Sequence, residues 1–67
     1  MRTLAPTDLM NIRQAIRHLE NSRHYLRRLL EVPEICPRIH NWERWNTESV
    51  AVETQLRTIL SEDEARR

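Results

Sequence analysis

The sequence predicts an all-α protein: a two-helix antiparallel hairpin that dimerises into a four-helix bundle. Apolar residues at Leu9, Ile12, Ile16, Leu19, Leu26 and Leu30 are spaced three and four apart, which is helical spacing sustained for about six turns. The same rhythm returns at Trp42, Trp45, Ser49, Val52, Leu56 and Ile59. A chain of 67 residues is also too short to bury a generous core by itself, so two such helices need a further partner. With no glycine, three prolines and no stretch alternating apolar with polar residues, the chain lacks the material for a sheet.

The elements follow in order within a single domain, residues 1–67. Residues 1–6 precede the first helix, and Leu4 is placed to fold back on it. Thr7 is the expected N-cap, its hydroxyl accepting from an orphan backbone N–H, and Asp8 puts a negative charge where the helix dipole favours one. The first helix is expected over about residues 7–32, because Pro33 disfavours helical geometry at Val32 and brings no donor of its own. A connection over about 33–38 is short enough to make the helices antiparallel neighbours. The second helix is expected over about 38–62, starting between Pro37 and Ile39, with Asn41 as the later alternative cap. Glu62, Asp63 and Glu64 set three negative charges at the helix end that disfavours them, so residues 63–67 read as a frayed tail.

Heptad lettering turns the spacing into layers. In the first helix Leu9, Ile16, Arg23 and Leu30 fall at a, Ile12, Leu19 and Leu26 at d, and Ala15, Ser22 and Leu29 at g. In the second, Trp42, Ser49 and Leu56 fall at a, and Trp45, Val52 and Ile59 at d. Folded back on itself, the hairpin then stacks Leu30 on Trp42, Leu26 on Trp45, Arg23 on Ser49, Leu19 on Val52, Ile16 on Leu56 and Ile12 on Ile59. One partner helix cannot cover the wide apolar face of the first helix, and Val50, Ala51 and Leu60 are left over on the second. Self-association is the economical solution, with Ala15, Ser22, Leu29, Trp42, Trp45, Val50 and Leu60 as protein-interface candidates. Trp42 and Trp45 sit beside the turn, where they can close the end of the bundle or anchor a protein partner.

Chemistry is sparse. Arg23 and Ser49 form a polar layer in the core; a buried guanidinium must be paired, and Glu20, Glu48 and Glu53 are the carboxylates in reach. Arg13, Arg17, His24 and Arg28 share an outward face about 22 Å long, making them the nucleic-acid candidates. Opposing that use, Arg17 can pair with Glu20, Arg27 and Arg28 with Glu31, Arg44 with Glu48, and Glu53 with Arg57. Eleven cationic residues, all arginine, against ten acidic ones leave a net charge of +1, which argues against a general polyanion binder. The arginine-only bias is what GC-rich coding in a bacterial or phage source produces.

Cys36 is the only cysteine, so no internal disulfide forms. Cys36 and His40, even with His18 and His24, lack the spacing of a metal site, and without glycine there is no phosphate-binding loop. No nucleophile and base fall at a spacing that would pair them, so neither catalysis nor a cofactor is expected. No apolar run resembles a signal peptide or a membrane span, so a cytoplasmic protein is the expectation. The expected function is that of a small non-enzymatic interaction module, self-associating and binding another protein as adaptor, inhibitor or regulator; the alternative is an RNA- or DNA-binding regulator.

Overall fold

In the computed structural model, which describes residues 3–66, two long helices lie antiparallel: α1 (Pro6–Leu30) and α2 (Trp42–Ala65), joined through a 3₁₀ turn at Cys36–Arg38. No strand occurs among the described residues.

Helix α1 starts one residue before the expected cap. Ala5 is the N-cap, with extended backbone (ψ 149°) and no side-chain hydrogen bond, and Pro6 takes the first helical position. Proline suits that place because its fixed φ is already helical and the N–H it lacks would have no acceptor there. Thr7 therefore lies inside the first turn, where Asp8 still meets the positive end of the helix dipole. At the other end Glu31 caps the helix, its N–H donating to the Arg28 carbonyl at 3.2 Å, two residues ahead of Pro33.

The connection is longer than the sequence suggests. Val32 accepts from the N–H groups of Ile35 (3.0 Å) and Cys36 (2.9 Å), and Pro37 is spent in the 3₁₀ turn rather than opening α2. Helix α2 starts at Trp42, after Asn41 in the left-handed region (φ 61°). Asparagine is one of the few residues that tolerates this conformation, and its carbonyl accepts from Trp45 N–H at 3.1 Å.

The far end carries a second correction. Asp63, expected in a frayed tail, is only 1% exposed, and α2 continues to Ala65. Its carboxylate accepts a hydrogen bond from the backbone N–H of Leu4 at 2.7 Å. A negative charge beside the start of α1 is favoured by that helix's dipole, so the contact offsets the unfavourable position of Asp63 at the end of its own helix. This clasp joins residues at opposite ends of the sequence and closes the open end of the hairpin.

The α1 side of the seam follows the a/d lettering: Leu9 and Ile16 are buried, and Ile12, Leu19, Arg23, Leu26 and Leu30 are half-buried. The α2 side does not. Trp45, Val52 and Ile59, lettered as core, are 37%, 45% and 40% exposed. The residues turned inward are instead Trp42, Asn46, Ser49, Glu53, Leu56, Leu60 and Asp63, a stripe with the same three-and-four spacing but rotated toward the neighbouring flank. The layers Leu26–Trp45, Leu19–Val52 and Ile12–Ile59 are thus replaced by a seam containing a carboxylate at Glu53.

Leu9 and Ile16 are the only buried apolar residues among the described residues. The radius of gyration is 15.5 Å, against about 11 Å for a compact domain of this length. The clasp predicts that Asp63→Ala destabilises the protein by about 1–3 kcal/mol, the cost of a lost charged hydrogen bond, whereas Glu62→Ala, one residue away and exposed, stays within about 0.5 kcal/mol. Thermal unfolding followed by circular dichroism measures both.

Candidate functional site

At mid-length the seam is polar. Arg23 donates to Ser49 Oγ at 3.3 Å and, through its other terminal nitrogen, to Glu53 Oε1. Ser49 in turn donates to the carbonyl of Asn46 at 2.9 Å. The other oxygen of Glu53 accepts from Arg57 Nε at 3.0 Å, and Arg57 reaches across to Glu20 at 3.1 Å. Two arginines and two glutamates therefore form one chain of ion pairs from α1 to α2 and back. No buried side-chain polar atom among the described residues lacks a partner.

The burial of this layer decides its weight. Arg23 and Glu53 are 13% and 15% exposed at their side chains, so their pairing is only weakly screened; Arg57 and Glu20 are about half exposed and contribute far less. The hydrogen bond from Arg23 holds the Glu53 carboxyl below its ordinary titration range, against the opposing effect of desolvation and with help from Arg57.

This network fixes two unlike flanks. Arg57 and Glu20 mark one: on it lie Arg13, Arg17, His24 and Arg27, with Arg28 at its outer edge. Helical geometry places Trp45, Val52 and Ile59 on the other, seven residues apart in one stripe. In an antiparallel pair the stripe at Ala15, Ser22 and Leu29 of α1 falls on that same flank. Leu29 is exposed there, and Ile12, Leu19 and Leu26 lean toward it half-buried.

The interface candidates consequently separate. Ala15, Ser22, Leu29 and Trp45 share the apolar flank. Val50, exposed, lies on the Arg57 flank. Trp42 is half-buried beside Leu26 and Leu30. Leu60 is taken into the seam beside Ile16, where the two line a groove of about 500 Å³ bordered by Arg13, Arg17, Asn21 and the Glu20–Arg57 pair. Val52 and Ile59, absent from the candidates, become the middle of the apolar stripe; the exchange of Val52 for Glu53 in the seam is what exposes them.

Charge pairing also departs from expectation. Arg44–Glu48 and Arg57–Glu53 form at 3.0 Å each, but Glu20 pairs with Arg57, and among the described residues no ion pair involves Arg17. Among the described residues no ion pair joins Arg27 or Arg28 to Glu31. Helix α1 holds five arginines against two carboxylates, and α2 two against six. Opposite net charges pull the helices together and leave the outer surface of α1 basic.

No group of three or more metal-ligating side chains gathers among the described residues, and no described helix is long and apolar enough to cross a membrane. Comparison with family models, with curated proteins and with solved structures finds no match to this chain.

The seam ion pair makes two predictions. Arg23→Leu alone leaves Glu53 with only the half-exposed Arg57 as partner and costs about 1–3 kcal/mol, while Arg23→Leu combined with Glu53→Leu recovers most of that loss; chemical denaturation of the three proteins measures the difference. A lowered carboxyl pKa stabilises the fold above the ordinary glutamate value of about 4.3 and loses that contribution as pH falls through the lower, folded-state value. The stability gap between wild type and Glu53→Gln should therefore be full at pH 7 and shrink steadily below about pH 4.

Proposed function

We propose that the protein is a non-catalytic helical interaction module of the cytoplasm that works as a homodimer. Two hairpins pack their apolar flanks together into a four-helix bundle, and the assembled bundle acts as a small adaptor or regulator. The observation that supports this most strongly is the continuous stripe of Trp45, Val52 and Ile59, facing the same way as Leu29 and the half-buried Ile12, Leu19 and Leu26.

Size supports a second copy as the occupant. The chain exposes 5604 Å², whereas a compact protein of 8.1 kDa exposes about 4500 Å². The excess of about 1100 Å² is comparable to the roughly 800 Å² that each partner contributes to a stable interface. The flank is also suited to pairing with itself, because a two-fold contact places the same patch on both sides and this patch carries few charges at its centre. Each buried Val, Ile or Leu adds about 1.5–3 kcal/mol, which supplies the stability that the thin seam lacks.

Sedimentation equilibrium tests the reading. Wild type should sediment as a dimer at both low and high salt, since apolar burial is not screened. Val52→Glu, which puts a charge in the middle of the stripe, should give a monomer with reduced helicity, and Arg17→Gln on the opposite flank should remain a dimer. A fully helical wild-type monomer at micromolar concentration removes the homodimer and leaves the stripe to a different protein.

A further inference from the structure

The flank opposite the apolar stripe is a second surface, and it has a different chemistry. Arg13, Arg17, Arg27 and Arg28 are all exposed, and none makes an ion pair among the described residues. They are unpaired because Arg57, reaching over from α2, occupies Glu20, the one carboxylate of α1 between them. Arg23 and Arg57 then neutralise Glu53 and Glu20, so the carboxylates along the middle of this flank are matched; at its turn end Glu31 is exposed and, among the described residues, pairs with neither Arg27 nor Arg28. The acidic residues that bring the whole chain to a net +1 lie elsewhere, mostly on α2 and at the ends of the hairpin.

From this placement we infer that the arginine flank of α1 binds the phosphate backbone of a nucleic-acid duplex. The positions of the four arginines span about 22 Å of a straight helix, a length that takes in about six phosphates of one strand measured along the duplex axis, at 3.4 Å of rise each. Arginine holds phosphate through paired N–H donors and pays little to shed its weakly held water. Between Arg13 and Arg17 the groove over Ile16 and Leu60, about 500 Å³, has room for a phosphate and its sugar, with Asn21 as a further donor on its wall; Glu20 also lines it, its charge met by Arg57 at 3.1 Å. A duplex fits better than a single strand because the flank has no row of aromatic rings on which successive bases would stack: Trp45 is on the opposite flank, and the exposed Tyr25, at the edge beside Arg28, has its ring edge-on to His24. The surface reads backbone and shape, with nothing aimed at base edges, so binding is sequence-independent. One protomer presents the whole flank, so the inference stands whether or not the protein dimerises.

The test is fluorescence anisotropy with a labelled 20-base-pair RNA duplex and the DNA duplex of the same sequence, each titrated at several salt concentrations between 50 and 200 mM, with poly-glutamate as a third titrant. Wild type should bind a duplex with an affinity that falls steeply as salt rises, with a log–log slope of about −3 to −4 if all four arginines meet phosphates. Arg13→Gln/Arg17→Gln and Arg27→Gln/Arg28→Gln should each flatten that slope by about 2 and weaken binding at 50 mM salt by about tenfold or more, with helicity unchanged. Arg38→Gln/Arg44→Gln, off the flank, should leave the slope in place. Tighter binding to the RNA or to the DNA duplex identifies the helical form preferred, and equal binding to both means that the backbone alone is read. Absence of duplex binding at 50 mM salt overturns the inference, as does a slope that the two flank variants do not change. Poly-glutamate bound as tightly as the duplexes overturns it too, since that would make the partner an acidic protein.

Discussion

The ion pair between Arg23 and Glu53 sets the arrangement of everything else. An arginine in the middle of the apolar face of α1 cannot be buried without a counter-charge, and leaving it unpaired costs more than burying one valine returns. Helix α2 resolves this by turning Glu53 inward in place of Val52. Because a helix is rigid, the same rotation applies along its whole length: Asn46 replaces Trp45 near the turn, and Leu60 replaces Ile59 near the open end. One electrostatic demand in one layer thereby decides which α2 residues face α1 and which face out.

Two flanks of opposite character result. On one, the arginines and glutamates of the seam continue outward through Arg57 and Glu20, and the remaining arginines of α1 stand free beside them. On the other, the displaced aliphatic and aromatic residues line up in a stripe that water alone covers in the hairpin. The Asp63 clasp at the open end and the 3₁₀ turn at the other hold the helices side by side, but neither adds much apolar burial. The proposed second hairpin on the apolar flank would add the burial that so thin a core lacks, and such a contact would leave both arginine flanks on the outside.

Much of this was legible in the sequence. Helix α1 could be placed to within a residue or two at each end, because an unbroken three-and-four rhythm runs from Leu9 to Leu30 and Pro33 stops it. The layer of Arg23 and Ser49 followed from lettering alone. The rotation of α2 could not be read off in this way: Trp42, Ser49 and Leu56 are common to both seams, and apolarity favours Trp45, Val52 and Ile59 as their companions. Only the counter-charge demanded by Arg23 reverses that choice, and Glu53 was one of three carboxylates in reach. The start of α2 was expected between Pro37 and Ile39, since a proline can open a helix, but Pro37 is taken by the 3₁₀ turn and the alternative cap, Asn41, precedes the helix. Asp63 was misplaced because its partner is the backbone of Leu4, 59 residues away, which no local pattern reports.

The central claim is that the rotation of α2 directs Trp45 to a second copy of the chain, and Trp45 itself can report on it. In a Trp42→Phe background, emission and acrylamide quenching of Trp45 would be followed from high concentration down to the nanomolar range. The account predicts blue-shifted, protected emission at high concentration, giving way to red-shifted, quenchable emission on dilution as the dimer separates. Emission that stays red-shifted and fully quenchable across that range, with helicity intact, would contradict it, because the apolar flank would then be facing water at every concentration.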